Sequence, residues 1–79
     1  MTESQREMVT IVAESWRDTG SGPTLLEIGH ELGVTKQCVA ERVSRLVRKG
    51  VLRRQWHVAR SLEVTDMGLE ALGTVVGNG

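Results

Sequence analysis

The stretch from Thr24 to Lys49, TLLEIGHELGVTKQCVAERVSRLVRK, decides the fold. Thr24 and Glu27 stand at capping-box spacing, where each side chain satisfies a backbone donor at a helix start. Leu25, Ile28 and Leu32 supply the buried face of the short helix that follows. Gly33 falls where a helix commonly ends in a left-handed residue. Thr35 caps the next helix, which reaches about Lys49 and turns Val39, Val43, Leu46 and Val47 to one side. Its other sides carry Lys36, Gln37, Glu41, Arg42, Ser44, Arg45 and Arg48. Two helices flanking a glycine turn, the second polar and basic outward, make a helix-turn-helix.

Upstream, Glu3 to about Thr19 reads as a helix. Thr2 and Gln5 have capping-box spacing, and Met8, Val9, Val12, Ala13 and Trp16 form one apolar stripe. Gly20-Ser21-Gly22-Pro23 breaks it. Downstream, Gly50 ends the third helix and the period changes. Val51–Trp56 and Ser61–Val64 read as two short strands joined by His57-Val58-Ala59-Arg60, with Leu62 and Val64 alternating as a half-buried strand requires. Thr65-Asp66 starts a last helix with Met67, Leu69, Leu72, Val75 and Val76 apolar, and Gly77-Asn78-Gly79 is a frayed end. The expected fold is α+β and mainly α. It is a winged helix with a three-helix helix-turn-helix core, a two-stranded β wing and a C-terminal helix, one domain over residues 1–79.

The 79 residues leave no room for a second domain. Two Trp with no Phe or Tyr require an aliphatic core. The single Cys38 cannot form an internal disulfide and fits a reducing, cytoplasmic setting. No apolar run approaches the roughly 20 residues that cross a bilayer, and MTESQREM lacks the features of a secretion signal. The expected place is the cytoplasm, on the nucleoid, with no membrane partner.

Zero formal net charge hides a strong asymmetry. Met1–Gly33 sets two arginines against six carboxylates, net −4. Val34–Arg60 sets eight cations against Glu41 alone, net +7. Ser61–Gly79 has three carboxylates and no cation, net −3. Charge alone divides evenly between a polyanionic partner and a solvated basic face.

The helix-turn-helix shifts that balance toward duplex DNA. A recognition helix enters the major groove with its N-terminal residues at base edges. Those residues here are Thr35, Lys36, Gln37 and Cys38. Gln37 can pair bidentately with adenine and Lys36 can donate to guanine. Arg42 and Arg45, one and two turns on, reach bases or phosphates. Thr24, at the start of the bracing helix, joins the candidate contacts. The wing adds Arg53, Arg54, His57 and Arg60 for the flanking backbone or a minor groove. The competing account of Arg53 and Arg54 is charge protection of an exposed strand edge.

The stretch Gly22 to Thr35, GPTLLEIGHELGVT, resembles the PT-x-x-E-I-A-x-x-L-G signature of the LexA-type DNA-binding domain. Arg48–Arg53, RKGVLR, is similar to that family's R-K-G-x-I/L-x-R, and Ser4–Val9, SQREMV, to its T-x-R-Q-x-E-V start. The likeness covers about Ser4 to Leu62. Leu62–Leu72, LEVTDMGLEAL, instead resembles the L-x-L-T-x-x-G-x-x-x-L segment of MarR-like regulators. The resemblance implies a sequence-specific transcriptional regulator, a repressor, acting on double-stranded DNA. It places base contacts at Thr35, Gln37, Cys38, Ala40 and Glu41. Ala40 stands where an acidic residue is usual, and Gln37 where the amide is one methylene shorter. An operator different from the family's usual one is therefore expected. The self-cleaving protease half of LexA repressors is expected to be lacking, so relief by self-cleavage is not expected.

Few base contacts per module imply two copies on paired half-sites. Leu69, Leu72, Val75 and Val76 of the last helix are the candidate homodimer surface, with the first helix as a possible addition and packing within the same domain as the equal alternative. Two rival functions stay open: a winged-helix protein-interaction module, and a phage or plasmid architectural or segregation DNA-binding factor. No acid–base pair, nucleophile set or metal set is visible, so no enzyme activity, cofactor or metal is expected. His30-Glu31 begins a zinc-protease motif, but Val34 stands where its second His belongs. Gly20-Ser21-Gly22 lacks the Gly-Lys-Ser/Thr of a phosphate loop. Cys38 near a helix start suits oxidation sensing, but fits a small contact residue better. Trp56 is assigned to core or wing packing rather than base stacking, and Trp16 to the core or a dimer contact.

Overall fold

The computed structural model of the protein describes residues 1–55 and 58–73. The elements run α1 (Glu3–Thr19), α2 (Leu25–Leu32), α3 (Lys36–Arg48), β1 (Leu52–Arg53), β2 (Glu63–Val64) and α4 (Asp66–Ala71). This is the expected order of a winged helix. Each of the four helices among the described residues starts at a threonine whose hydroxyl accepts the amide of the helix's third residue. Thr2–Gln5 and Thr24–Glu27 are complete capping boxes. Gly33 ends α2 at φ 71°, a left-handed turn that glycine adopts without a Cβ clash. The Val34 amide then returns to the Gly29 carbonyl at 3.0 Å.

The core is one cluster: Met8, Val9 and Val12 from α1, Ile28 from α2, Val39, Val43 and Leu46 from α3, with Val51, Leu52 and Leu62 from the wing. Ile11, Leu25, Leu32, Val34, Val64 and Leu72 pack around it half-buried. It is aliphatic, as the missing Phe and Tyr require. No polar or charged side chain among the described residues is buried.

Three features differ from the sequence pattern. Val47 is 37% exposed instead of lining the core. Val39, Val43 and Leu46 already fill the stripe at helical spacing, and Val47 falls at its edge. Trp16 is also 37% exposed. It sits at the rim, where its indole N–H donates to the Leu62 carbonyl at 2.6 Å.

The strands are shorter than the pattern suggests. Only Leu52↔Val64 and Arg53↔Glu63 pair in the antiparallel ladder. Val51 lies outside it because its amide closes the end of α3 on the Leu46 carbonyl at 2.9 Å. Beyond Arg53 a side chain replaces the ladder. The Ser61 hydroxyl accepts from the Gln55 amide and donates to the Gln55 carbonyl, both at 3.0 Å.

Candidate nucleic-acid interface

Helix α3 presents the side chains that the sequence singles out. Lys36, Gln37, Glu41 and Arg45 are exposed, while Cys38, Ala40 and Arg42 are half-buried. The Thr35 hydroxyl accepts the Cys38 amide at 3.1 Å, fixing the first turn that carries Lys36 and Gln37. No carboxylate is spent on this face: among the described residues, Lys36, Arg42 and Arg45 make no ion pair. Their charge is open to an external anion.

The wing lies against both ends of α3. A concave surface of about 550 Å³ runs from Thr24, Leu25 and Leu26 past Lys36 to Arg54, Gln55 and Val58–Leu62. It brings together four of the predicted contacts: Thr24, Lys36, Arg54 and Arg60. A smaller cleft sets Arg54 beside Val43, Ser44, Val47 and Arg48 on α3. His57 lies outside the described residues, as does Trp56.

Not every predicted cation is open. Arg53 pairs with Glu63 across the ladder at 2.9 Å. Arg60 makes a two-toothed fork on Glu27, Nη1 to Oε1 and Nη2 to Oε2, each 3.0 Å. Glu27 Oε1 also accepts the Thr24 amide at 2.9 Å, so one carboxylate closes the capping box of α2 and grips the wing. The Arg60 guanidinium, with the Thr24 amide second, holds the Glu27 carboxyl down at about 2 from an ordinary 4.5. Glu27 in turn raises the Arg60 pKa.

The sequence offered no signal for this pair, which joins residues 33 positions apart. The backbone does carry a mark of it. Arg60 has φ 56°, the only positive φ of a non-glycine among the described residues. A left-handed non-glycine costs about 1–3 kcal/mol and persists where its surroundings over-determine it. The Gly22 amide supplies one such constraint, donating to the Arg60 carbonyl at 3.0 Å. Gly22 is needed there, because a Cβ would run into the Leu62 carbonyl and lie 3.0 Å from that of Arg60.

The neighbouring cleft has the wrong sign for DNA. About 700 Å³ in volume, it lies between α1 and α2 and is lined by Glu14, Asp18, Glu27 and Glu31 with Ile11 and Leu26. It adjoins the basic surface along Pro23 and Leu26, and the Glu27–Arg60 pair spans the border.

At the C-terminal end, Leu72 packs on the domain's own core, Leu69 is 37% exposed and Met67 is 57% exposed. Val75 and Val76 lie outside the described residues. The Arg6 guanidinium donates to the Leu72 carbonyl at 2.9 Å, tying α1 to the end of α4. No group of three or more potential metal ligands occurs among the described residues, and no helix among them is long and apolar enough to cross a membrane.

Known proteins share both the sequence pattern and the fold. The family model described as LexA DNA binding domain matches residues 1–61. The LexA repressor of Magnetococcus marinus is 34% identical over 70 residues, covering 89% of this chain and 30% of that protein. The LexA repressor of Leuconostoc citreum is 36% identical over 72 residues, covering 87% of this chain and 34% of that protein. The chain therefore spans about a third of the length of these curated relatives. Among solved structures, MepR, a transcription regulator of the Staphylococcus aureus multidrug efflux pump MepA, superposes with a TM-score of 0.76. That match covers 98% of this chain and 55% of MepR at 19% identity, a likeness of fold. With the helix-turn-helix, the wing and the matched motifs in one chain, the protein belongs to the LexA DNA-binding domain family.

Proposed function

We propose that this chain is a sequence-specific double-stranded DNA-binding transcriptional regulator that represses by occupying its site. The carrying observation is the coincidence of charge and shape. The +7 segment falls on the exposed side of α3 and on the wing, and Lys36, Arg42 and Arg45 there have no ion-pair partner among the described residues. In this reading α3 enters the major groove. Thr35, Lys36, Gln37, Cys38, Ala40 and Glu41 meet base edges, and Arg42 and Arg45 reach bases or phosphates. Thr24, Arg53 and Arg54 take the flanking backbone. Residues 1–79 work as one winged-helix unit that acts on the nucleoid by occupying its site.

Two copies on a two-fold site would supply the contacts that one module lacks. The exposed Met67 and Leu69 of α4 support a contact there, and α1 lies beside it through Arg6. Selection of bound duplexes from a random pool tests both ideas. The expected product is a defined site of two inverted half-sites, bound with an affinity that falls steeply with salt. Recovery of no preferred sequence would remove the specificity claim. Binding to a protein partner that ignores salt would favour an interaction module instead.

A further inference from the structure

We propose that Glu27 and Arg60 form a positioning latch that sets the wing against the recognition helix, and that Arg60 acts through Glu27 instead of as a phosphate ligand. The proposal rests on the DNA-binding reading above, because it assigns a role within that interface.

Three contacts converge on the return arm of the wing. The Trp16 indole of α1 donates to the Leu62 carbonyl. The Gly22 amide, in the turn before α2, donates to the Arg60 carbonyl. The Glu27 carboxylate of α2 receives both outer nitrogens of Arg60. Arg60 Nη1 also lies 3.4 Å from the Gly22 carbonyl, so the guanidinium faces an acceptor on each side of the gap. A guanidinium committed in this way has its fork geometry satisfied within the protein.

The far side of the latch leads directly to α3. Glu27 is the third residue of α2, and its Oε1 also holds the Thr24 amide at the start of that helix. The remainder of α2 and the Gly33 turn connect Glu27 to Lys36. The concave surface between Lys36 and the wing has Arg60 and Thr24 in its wall, so the latch fixes its width. A duplex lying across both α3 and the wing needs that width preset.

Charge and position make opposite predictions for one substitution. Glu27→Gln removes a carboxylate beside a DNA-facing surface, which on charge alone tightens binding to a polyanion. Gln retains the capping-box hydrogen bond, since Glu and Gln both serve at this position. It loses the charged fork to Arg60. The latch therefore predicts weaker binding, by about two- to fivefold, in a variant that keeps its helix cap.

The experiment measures binding of the full chain to its selected duplex across a salt series for wild type, Glu27→Gln, Arg60→Ala and the double variant. Expected are weaker binding by both single variants, a double variant no worse than Arg60→Ala, and an unchanged salt slope throughout. A slope shallower by about 0.9 in Arg60→Ala means that Arg60 meets a phosphate itself, and overturns the proposal. Tighter or unchanged binding by Glu27→Gln also overturns it. Amide exchange without DNA gives a second readout: protection of the Gly22 amide falls in Glu27→Gln while that of Val12 and Val43 holds. Unchanged Gly22 protection overturns the latch. If the wild-type chain binds no duplex even at low salt, the DNA reading fails, and the wing's role in it fails too. The exchange arm still reports whether the pair holds the wing.

Discussion

The helix-turn-helix and the wing are held by contacts of opposite range. From Thr24 to Lys49 the defining bonds are local: Glu27 amide to Thr24 hydroxyl, Val34 amide to Gly29 carbonyl, Cys38 amide to Thr35 hydroxyl. Each spans three to five residues. The return arm of the wing is fixed from 33 to 46 residues away, by Glu27, Gly22 and Trp16. The helix-turn-helix is therefore specified by its own sequence, and the wing is specified by where α1 and α2 lie. A lesion in α1 or α2 can displace the wing while leaving α3 intact, whereas the reverse requires damage to the shared core.

Leu46 is where the two regions cease to be independent. It is fully buried in the cluster that also holds Leu52 and Leu62 of the wing. Leu46→Ala is expected to cost about 2–5 kcal/mol, the range for truncating a buried leucine. In a domain this small that is a large share of the total stability. Urea unfolding followed by helix signal should show one midpoint, shifted far down. Val47→Ala, one residue on but exposed, should shift it little. If the helices stayed intact while the wing alone melted, the two regions would be separate cooperative units.

The same difference in range explains what could be read from the sequence. Thr2, Thr24, Thr35 and Thr65 each announced a helix, and all four cap one. Gly33 announced the turn, and the stripe Val39–Val43–Leu46 announced the face of α3. The strands are shorter than their apolar alternation suggests, because alternation cannot reveal that Ser61 takes the place of a ladder partner for Gln55. The stripe places Trp16 on the apolar side of α1, while its N–H is used by a carbonyl that only the fold brings near. In the interface, α3 was legible from periodicity and residue type. The commitment of Arg60 to Glu27 was not, since both are polar and exposed, with nothing local to link them.

Arg42→Ala with Arg45→Ala is expected to weaken duplex binding by about 10- to 100-fold and to make the salt slope shallower by about 0.9 for each phosphate lost. Arg53→Ala is expected to do less, because its guanidinium is already paired with Glu63. Binding measured between low and physiological salt separates them. An Arg53 effect equal to that of the α3 pair would move the weight of recognition to the wing.

A smaller effect isolates local coding. Thr35→Ala removes the hydroxyl that holds the Cys38 amide and is expected to cost about 1 kcal/mol, the usual value of a helix cap. Thermal unfolding of the variant checks this. The substitution should also blunt discrimination at the bases facing Gln37, since the first turn of α3 loses its anchor. A loss of stability without a change in sequence preference would show that this turn is ordered by the DNA rather than in advance of it.

The smallest expected effect is a pH dependence that belongs to the long-range side. The Glu27 carboxyl sits at about 2 in the folded chain against an ordinary 4.5, chiefly through Arg60. A depressed carboxyl favours the folded state whenever it is ionised in both states, so the contribution is fully present above about pH 4.5. As pH falls below that value the unfolded chain takes up a proton that the folded chain refuses, and the contribution shrinks. It is gone once pH passes below about 2, where both states are protonated. The pair is solvent-exposed and screened, so the change in midpoint is modest and shrinks further with added salt. Thermal midpoints of wild type and Glu27→Gln should therefore differ most at neutral pH and converge between pH 4.5 and pH 2. A gap that stayed constant through that window would owe nothing to the ionised Glu27 carboxylate, making the wing's anchor a matter of backbone contacts at Gly22 and Leu62.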